Sequence, residues 1–236
     1  MRSIAIITAR GGSKRIPRKN IREFRGRPMI AWPIAAALES GVFDHVLVST
    51  DDAEIAEVAR ACGAEAPFLR PAALADDFAH AHKAARHALE WAIEHLASSE
   101  RPVEAFCHLY PTAPLLSAAT VREGLRVLSR KGVTNVYAAQ RVPFPIYQVV
   151  ERRADGGLRP LFPPEKFMMR SQDMPACFID VGQMYWFRTA HFLEHETRIG
   201  SDTALVEVPQ ETALDIDTED DWKFAEKLAA LARPRG

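Results

Sequence analysis

Four short apolar runs, each set against a stretch of helical periodicity, constrain the fold more than any other feature of this chain. The runs lie at 4–7, 46–49, 106–109 and 136–139, and the helical patterns at 28–40, 53–62, 79–97 and 118–131. A run of four apolar residues with no polar alternation suits a strand buried on both faces. Strands separated by helices need crossover connections, which produce a parallel sheet with helices on both sides. Gly41 and Gly63 follow two of the helical stretches as stops, and Pro33 inside the first predicts a kink. The expected class is α/β: a doubly wound, mostly parallel sheet in one domain over 1–236. A chain of 236 residues is longer than the usual single domain and shorter than two.

The rhythm changes after about Arg141. Val142-Pro143-Phe144-Pro145, Asp155-Gly156-Gly157 and Pro163-Pro164 exclude a long helix. This stretch predicts short antiparallel strands and turns, an inserted lobe at about 141–187. Asp155-Gly156, between Val149-Val150 and Leu158, is a hairpin signal. Helix returns at Thr218-Glu219-Asp220-Asp221, a capping residue followed by acids in the first turn, and runs to about Leu231.

Composition narrows the function classes. The chain carries 30 Lys+Arg against 31 Asp+Glu and is 47% apolar, which excludes disorder and fibrous structure. Its longest apolar run, 29–38, is far below the ~18 residues of a transmembrane helix, so no membrane association is expected. Met1-Arg2-Ser3 leads straight into the first strand, with no room for a signal-peptide core. Cys62, Cys107 and Cys177 are odd in number and form no CxxC. They point to a reducing, cytoplasmic location and away from disulfides or a zinc knuckle.

The sharpest local signal follows the first strand: Ala9-Arg10-Gly11-Gly12-Ser13-Lys14-Arg15-Ile16-Pro17-Arg18-Lys19-Asn20. Paired glycines allow a tight turn that exposes N–H groups. Residues 10–27 hold eight bases against one acid, Glu23, a net of +7 in a chain of net charge -1. A loop at the carboxyl end of a strand is where a doubly wound sheet binds ligands. N–H groups and guanidinium forks match the oxygens of a polyphosphate. The loop is neither a Walker A nor a Gly-x-Gly-x-x-Gly sequence, and its alternatives are a solvated basic loop or a nucleic-acid patch. Near-zero net charge and the lack of interleaved aromatics beyond Phe24 weigh against nucleic acid.

Asp215-x-Asp217 places two carboxylates on one face of an extended segment. Beside a polyphosphate, two hard oxygen donors suit Mg2+, with phosphate and water completing the shell. The alternative is a helix cap at Asp217/Thr218. Asp51-Asp52 is open in the same way, between a nucleotide or metal contact and a cap for the helix from Ala53. His80 and His82 do not share a helix face, and no cysteine completes a set with His87, which argues against zinc. Trp32, Trp91, Trp222 and Cys107 lie in apolar patterns and are assigned to the core.

The 9–20 segment resembles the signature of the cytidylyltransferases that activate nonulosonic, sialic-acid-like sugars. The likeness continues through Val48-Ser49-Thr50-Asp51-Asp52, Leu69-Arg70-Pro71-Ala72, Tyr110-Pro111-Thr112-Ala113-Pro114-Leu115, Arg170-Ser171-Gln172-Asp173 and Asp215 to Trp222. With Gly182-Gln183-Met184-Tyr185-Trp186, the wording is nearest the pseudaminate branch. The chain departs from many relatives at Thr8, where they carry Pro, and at Tyr110, where sialate enzymes carry Gln. The resemblance implies a nucleotide-diphospho-sugar transferase-like fold that moves CMP from CTP to the anomeric hydroxyl of pseudaminic acid and releases pyrophosphate. Its rivals are the same chemistry on N-acetylneuraminate, legionaminate or Kdo, and a non-catalytic nucleotide sensor.

The resemblance also implies residue roles. Arg10 and Lys19 would be the catalytic phosphate contacts. Ala9, Arg10, Gly11, Gly12, Ser13, Lys19, Asn20 and Asp51 would bind the nucleotide. Tyr110, Arg170, Gln172 and Gln183 would meet the acidic nine-carbon sugar, and Asp215 and Asp217 would carry magnesium. A homodimer through the inserted lobe is implied as well.

Overall fold

The computed structural model describes residues 1–74, 81–195 and 199–231. Among them the chain runs β1 (Ser3–Thr8), β2 (Glu23–Phe24), β3 (Arg27–Pro28), α1 (Ala31–Ser40), β4 (His45–Ser49), α2 (Ala53–Ala61), α3 (Ala81–Leu96) and β5 (Ala105–Leu109). It continues with α4 (Ala118–Leu128), β6 (Asn135–Arg141), β7 (Val150–Arg152), β8 (Leu158–Pro160), α5 (Pro164–Phe167), β9 (Phe178–Arg188), α6 (Thr189–His195), β10 (Thr203–Glu207) and α7 (Glu219–Leu231). The first residues of the expected third helix, Ala79 and His80, lie outside the described residues.

Six strands form the central sheet in the order β10-β6-β9-β5-β1-β4. β1 pairs in parallel with β4 and β5, and β6 with β10. Only β9 is reversed, antiparallel to both β5 and β6. The sheet is therefore mostly parallel, as its apolar runs require.

β9 corrects the expected extent of the lobe. Phe178–Arg188 belongs to the central sheet, and Gln183 to Phe187 within it are buried. A strand covered on both faces shows no alternation of polar and apolar residues, so there is no period to read there. The lobe proper keeps the β7–β8 hairpin, turned at Asp155-Gly156 as expected, and the single-turn α5. The kink at Pro33 has no cause. Helix α1 begins at Ala31, so Pro33 lies in a first turn whose N–H groups have no intrahelical acceptor.

Helices α1, α2 and α4 cover one face of the sheet through Ile34, Ile55 and Leu128 against Ile7, Val48 and Trp186. Helices α3 and α6 cover the other through Leu89 and Phe192 against Ile4, Ile6 and Phe187. β1 is thus the strand at which the chain switches faces, the place where such sheets bind ligands at their carboxyl ends. A third cluster packs Ile16, Phe24 and Met29 of the segment after β1 against Ile216 and Trp222. Each such buried side chain contributes about 1.5–3 kcal/mol, enough to fasten the basic loop to the start of α7. Among the described residues no helix is long and apolar enough to cross a membrane.

Candidate active site

The basic loop leaves the sheet at Ala9, whose N–H still donates to Ser49 O at 3.0 Å. Gly11 N–H donates to Asp51 Oδ1 at 3.1 Å. A Cβ at Gly11 would fall 2.6 Å from Asp52 Oδ2, so only glycine lets the loop lie this close to the start of α2. Asp52 is the cap of α2, accepting Ile55 N–H at 3.1 Å. Arg18 pairs with Asp52 and Glu54 and holds the Asp52 carboxyl below its ordinary range. The Asp51-Asp52 alternatives divide accordingly: Asp52 caps, and Asp51 ties down the loop and lies 3.5 Å from the Arg70 guanidinium. Asp51 is not among the cavity-lining residues.

Much of the loop's positive charge fastens the loop itself. Arg22 pairs with Glu219 and stacks over Trp222 at 4.3 Å. Arg15 meets Asp217 Oδ2 at 3.0 Å. Lys19 Nζ donates to Ile216 O at 2.6 Å and to Asp217 Oδ1 at 3.1 Å. Buried Asn20 donates to Arg10 O at 2.9 Å and so fixes the backbone that carries Arg10.

These groups border a cavity of about 530 Å³ at the carboxyl ends of β1 and β5. Of the expected residues, Arg10, Ser13, Lys19, Asn20, Tyr110, Asp215 and Asp217 line it. Ala9, Gly11 and Gly12 shape the loop behind it. A second cavity of about 450 Å³, lined by Gln140, Asp180, Gly182 and Tyr185, shares Tyr110 and Asp215 with the first.

Three expected sugar contacts are placed elsewhere. Gln183 is buried, with its amide donating to Thr212 O at 2.5 Å and Leu214 O at 3.1 Å. Arg170 is exposed on the lobe and pairs with Asp173 at 2.7 Å. Gln172 is exposed beside it, and neither lines the two cavities. A polar residue amid the apolar wording of β9 marks an inward hydrogen bond as readily as a ligand contact. The turn at 171–173 is exposed, so spelling alone does not draw these side chains to a site.

Sequence reasoning gave no role to Arg70, Thr8, Lys14, Arg15 or Thr112, all of which line the first cavity. Arg70 is the most telling. It is 5% exposed, donates to Ser49 O at 3.2 Å, and its Nε has no hydrogen-bond partner among the described residues. Burial lowers its pKa, and the nearby Arg10 adds repulsion. Two guanidiniums held this close on a cavity wall form a site that an anion relieves. The only sequence signal was the Leu69-Arg70-Pro71-Ala72 segment itself.

Asp215 is the group most perturbed toward function. Its carboxyl is raised to about 6, chiefly by burial, with Thr112 and Lys19 opposing and Asp217 adding to the rise. Asp215 Oδ1 is buried without a hydrogen-bond partner among the described residues. The cap of α7 is made by others: Thr218 Oγ1 accepts Asp221 N–H, and Asp221 returns the bond to Thr218 N–H at 2.7 Å. Asp217 is therefore not the cap, and its carboxylate faces the cavity cations. An orphan buried oxygen next to a second carboxylate fits a hard divalent cation. Among the described residues no third His, Cys, Asp or Glu completes a metal group, so phosphate and water would supply the remaining positions.

The profile of the cytidylyltransferase family matches residues 4–144. The chain is 36% identical over 228 residues to the pseudaminic acid cytidylyltransferase of Campylobacter jejuni (strain 81-176), covering 97% of this chain and 96% of that protein. It is 33% identical to the CMP-N,N'-diacetyllegionaminic acid synthase of Campylobacter jejuni (strain NCTC 11168), covering 97% and 95%. Among solved structures, CMP:2-keto-3-deoxy-manno-octonic acid synthetase complexed with CTP superposes with a TM-score of 0.70 over 98% of this chain and 99% of that one. At 17% identity it shows the shared fold.

Proposed function

Because the chain belongs to the cytidylyltransferase family and is an enzyme that transfers CMP, we propose that it moves CMP from CTP to the anomeric hydroxyl of pseudaminic acid. Pyrophosphate is the second product and magnesium the cofactor. The observation that carries this reading is the junction of the two cavities at Tyr110 and Asp215. One cavity is lined by cations that suit a triphosphate. The other, where Gln140, Asp180 and Tyr185 stand beside apolar Ile179, Val181 and Ala213, lies across the same carboxylate, where an acceptor hydroxyl can approach the α-phosphorus.

The step forms a bond from the anomeric oxygen to the α-phosphorus and breaks the bond to the β-phosphate oxygen. The hydroxyl proton is lost, and the departing electron pair leaves on pyrophosphate. The protein's part is placement and charge. Arg10 and Arg70 grip the leaving phosphates, Lys19 meets the charge that develops at the α-phosphoryl, and Tyr110 separates nucleotide from sugar. Asp215 and Asp217 would hold magnesium, which supplies charge neutralisation to the phosphates and acidity to the attacking hydroxyl.

Arg170 and Gln172 enter this reading only through a second copy. The lobe exposes Phe144, Leu158, Leu161 and Met168, and the start of β9 beside it exposes Ile179, each more than half exposed. Covering these in a homodimer buries apolar surface and brings the lobe of one protomer toward the site of its partner.

A pyrophosphate-release screen of four nucleoside triphosphates against a panel of acidic sugars tests the proposal. CTP with pseudaminic acid should give the highest turnover. Equal turnover with ATP or GTP, or no release with any acid sugar, overturns it.

A further inference from the structure

Strand β9 does not pair regularly along its length. Its register with β6 shifts between Tyr137, which pairs with Tyr185, and Ala139, which pairs with Asp180, so the irregularity of β9 falls between Asp180 and Tyr185. Gly182 sits there with φ +64°, in the left-handed region that favours glycine. Asp180 pins the bulge. Its Oδ1 accepts Gly182 N–H at 2.9 Å, and its two oxygens accept the Tyr185 hydroxyl at 2.8 and 2.9 Å.

The bulge faces Asp215. A Cβ built on Gly182 would lie 2.8 Å from Asp215 Oδ2, 3.1 Å from its Cβ and 3.2 Å from its Cγ. The carboxylate thus rests directly against the backbone of β9 in space that any side chain would fill. One residue on, Gln183 holds the chain that delivers Asp215, donating to Thr212 O and Leu214 O. Gln183 O also accepts Tyr110 N–H at 3.0 Å, so one strand fixes Tyr110 and Asp215, the two residues common to both cavities.

We propose that Gly182 and Gln183 are positioning residues: the bulge of β9 sets where the Asp215 carboxylate stands, and through it the affinity for the divalent cation. The proposal rests on the reading that Asp215 works in CMP transfer. It assigns Gln183 to the carboxylate's backbone and not to the sugar.

The test is a double-mutant cycle on the full chain, read by Mn2+ affinity in the presence of CTP from water-proton relaxation, and by kcat and KM for CTP. Gly182→Ala should weaken Mn2+ binding ~10-fold or more, the scale of losing a group that orients a metal ligand. It should lower kcat by a similar factor and leave KM for CTP within about threefold. Gln183→Met, which keeps the volume and removes the two N–H donors, should act in the same direction. It carries the test if Gly182→Ala does not fold. In an Asp215→Asn background each substitution should change Mn2+ affinity by less than about twofold, because its effect travels through the missing carboxylate. Wild-type Mn2+ affinity in both single variants, or full multiplication of their effects with that of Asp215→Asn, overturns the proposal. Wild-type affinity and turnover in Asp215→Asn alone would instead overturn the underlying reading of the site.

Discussion

Replacing Asp215 with Asn should make the free protein more stable at neutral pH while stripping it of activity. Burial holds this carboxyl at about 6, above the ordinary 3.8. A raised carboxyl means that the native state binds its proton more tightly than the unfolded chain does. The associated stability is present below about pH 4 and is lost as pH rises through 6. The shift spans about two pKa units, so the charged form costs about 3 kcal/mol above pH 7 and less than about 1 kcal/mol near pH 4. A carboxamide of the same shape carries no such cost. At about 2–4 °C per kcal/mol for a chain of this size, Asp215→Asn should melt roughly 6–12 °C above wild type at pH 8. The two should nearly coincide at pH 4. The assay is thermal unfolding in chelator across pH 4–8, repeated with Mg2+ and CTP. Ligand at ~100 times its Kd should return about 2.7 kcal/mol to wild type and much less to the variant. A variant that melts below wild type at pH 8 in chelator, or a gap that does not widen with pH, would refute the account of Asp215 as a charge held at a cost for a cation.

Other expectations follow from the same geometry. Arg10→Ala and Lys19→Ala should each lower turnover by about 10²–10³, checked by pyrophosphate release. Lys19, only 13% exposed and bonded to Ile216 O, should also lose a few degrees of melting temperature, which Arg10→Ala should not. Arg70→Lys should fold and keep a charge yet raise KM for CTP by roughly tenfold, since a point charge cannot reproduce a fork held between Ser49 O and Asp51; unchanged KM would make Arg70 a purely structural residue. In direct competition, pseudaminic acid should be preferred over N-acetylneuraminic acid by about 10² in kcat/KM, the limit at which an apolar wall rejects one added hydroxyl. Equal use would shift the acceptor to the sialate class and leave cytidylyl transfer standing.

The parts of the fold legible in the sequence were those with a clean physical period. β1, β4 and β5 announce themselves as short apolar runs, and α2 and α4 by their periodicity, with the Asp51-Asp52 pair marking the start of α2. β9 was hidden because a strand buried on both faces, with Gly182 and Gln183 inside it, carries no alternation. The loop chemistry was legible because Gly-Gly and clustered bases are local. What was not legible is which bases face the ligand. Arg18 and Arg22 are drawn aside by Glu54 and Glu219, acids from distant parts of the chain, whereas Arg70 reaches the cavity from 50 residues beyond the loop. Arg170 and Gln172 fail for the opposite reason: a motif keeps its spelling wherever it lies, and a single chain places this one on the outside of the lobe.

The ion pairs of the free site bear on how the proposed substrates enter. Asp217 is already neutralised by Lys19 and Arg15, so the free site buries little uncompensated charge on that side. Among the described residues Asp215 Oδ1 has no such partner, and burial raises its carboxyl to about 6, so its charge is held at a cost at neutral pH. On the proposed reading, a triphosphate arriving at the loop competes with Asp217 for Lys19 and Arg15. As it takes them, it leaves Asp217 exposed to Asp215, and two carboxylates then face one another beside a phosphate. That arrangement repels itself until a divalent cation fills it. On that reading nucleotide and metal are coupled through Lys19. Each raises the affinity for the other by the same factor, as linkage requires. On the proposed reading, nucleotide binding frees the metal's second carboxylate, because the cations that bind phosphate are the ones that otherwise occupy it.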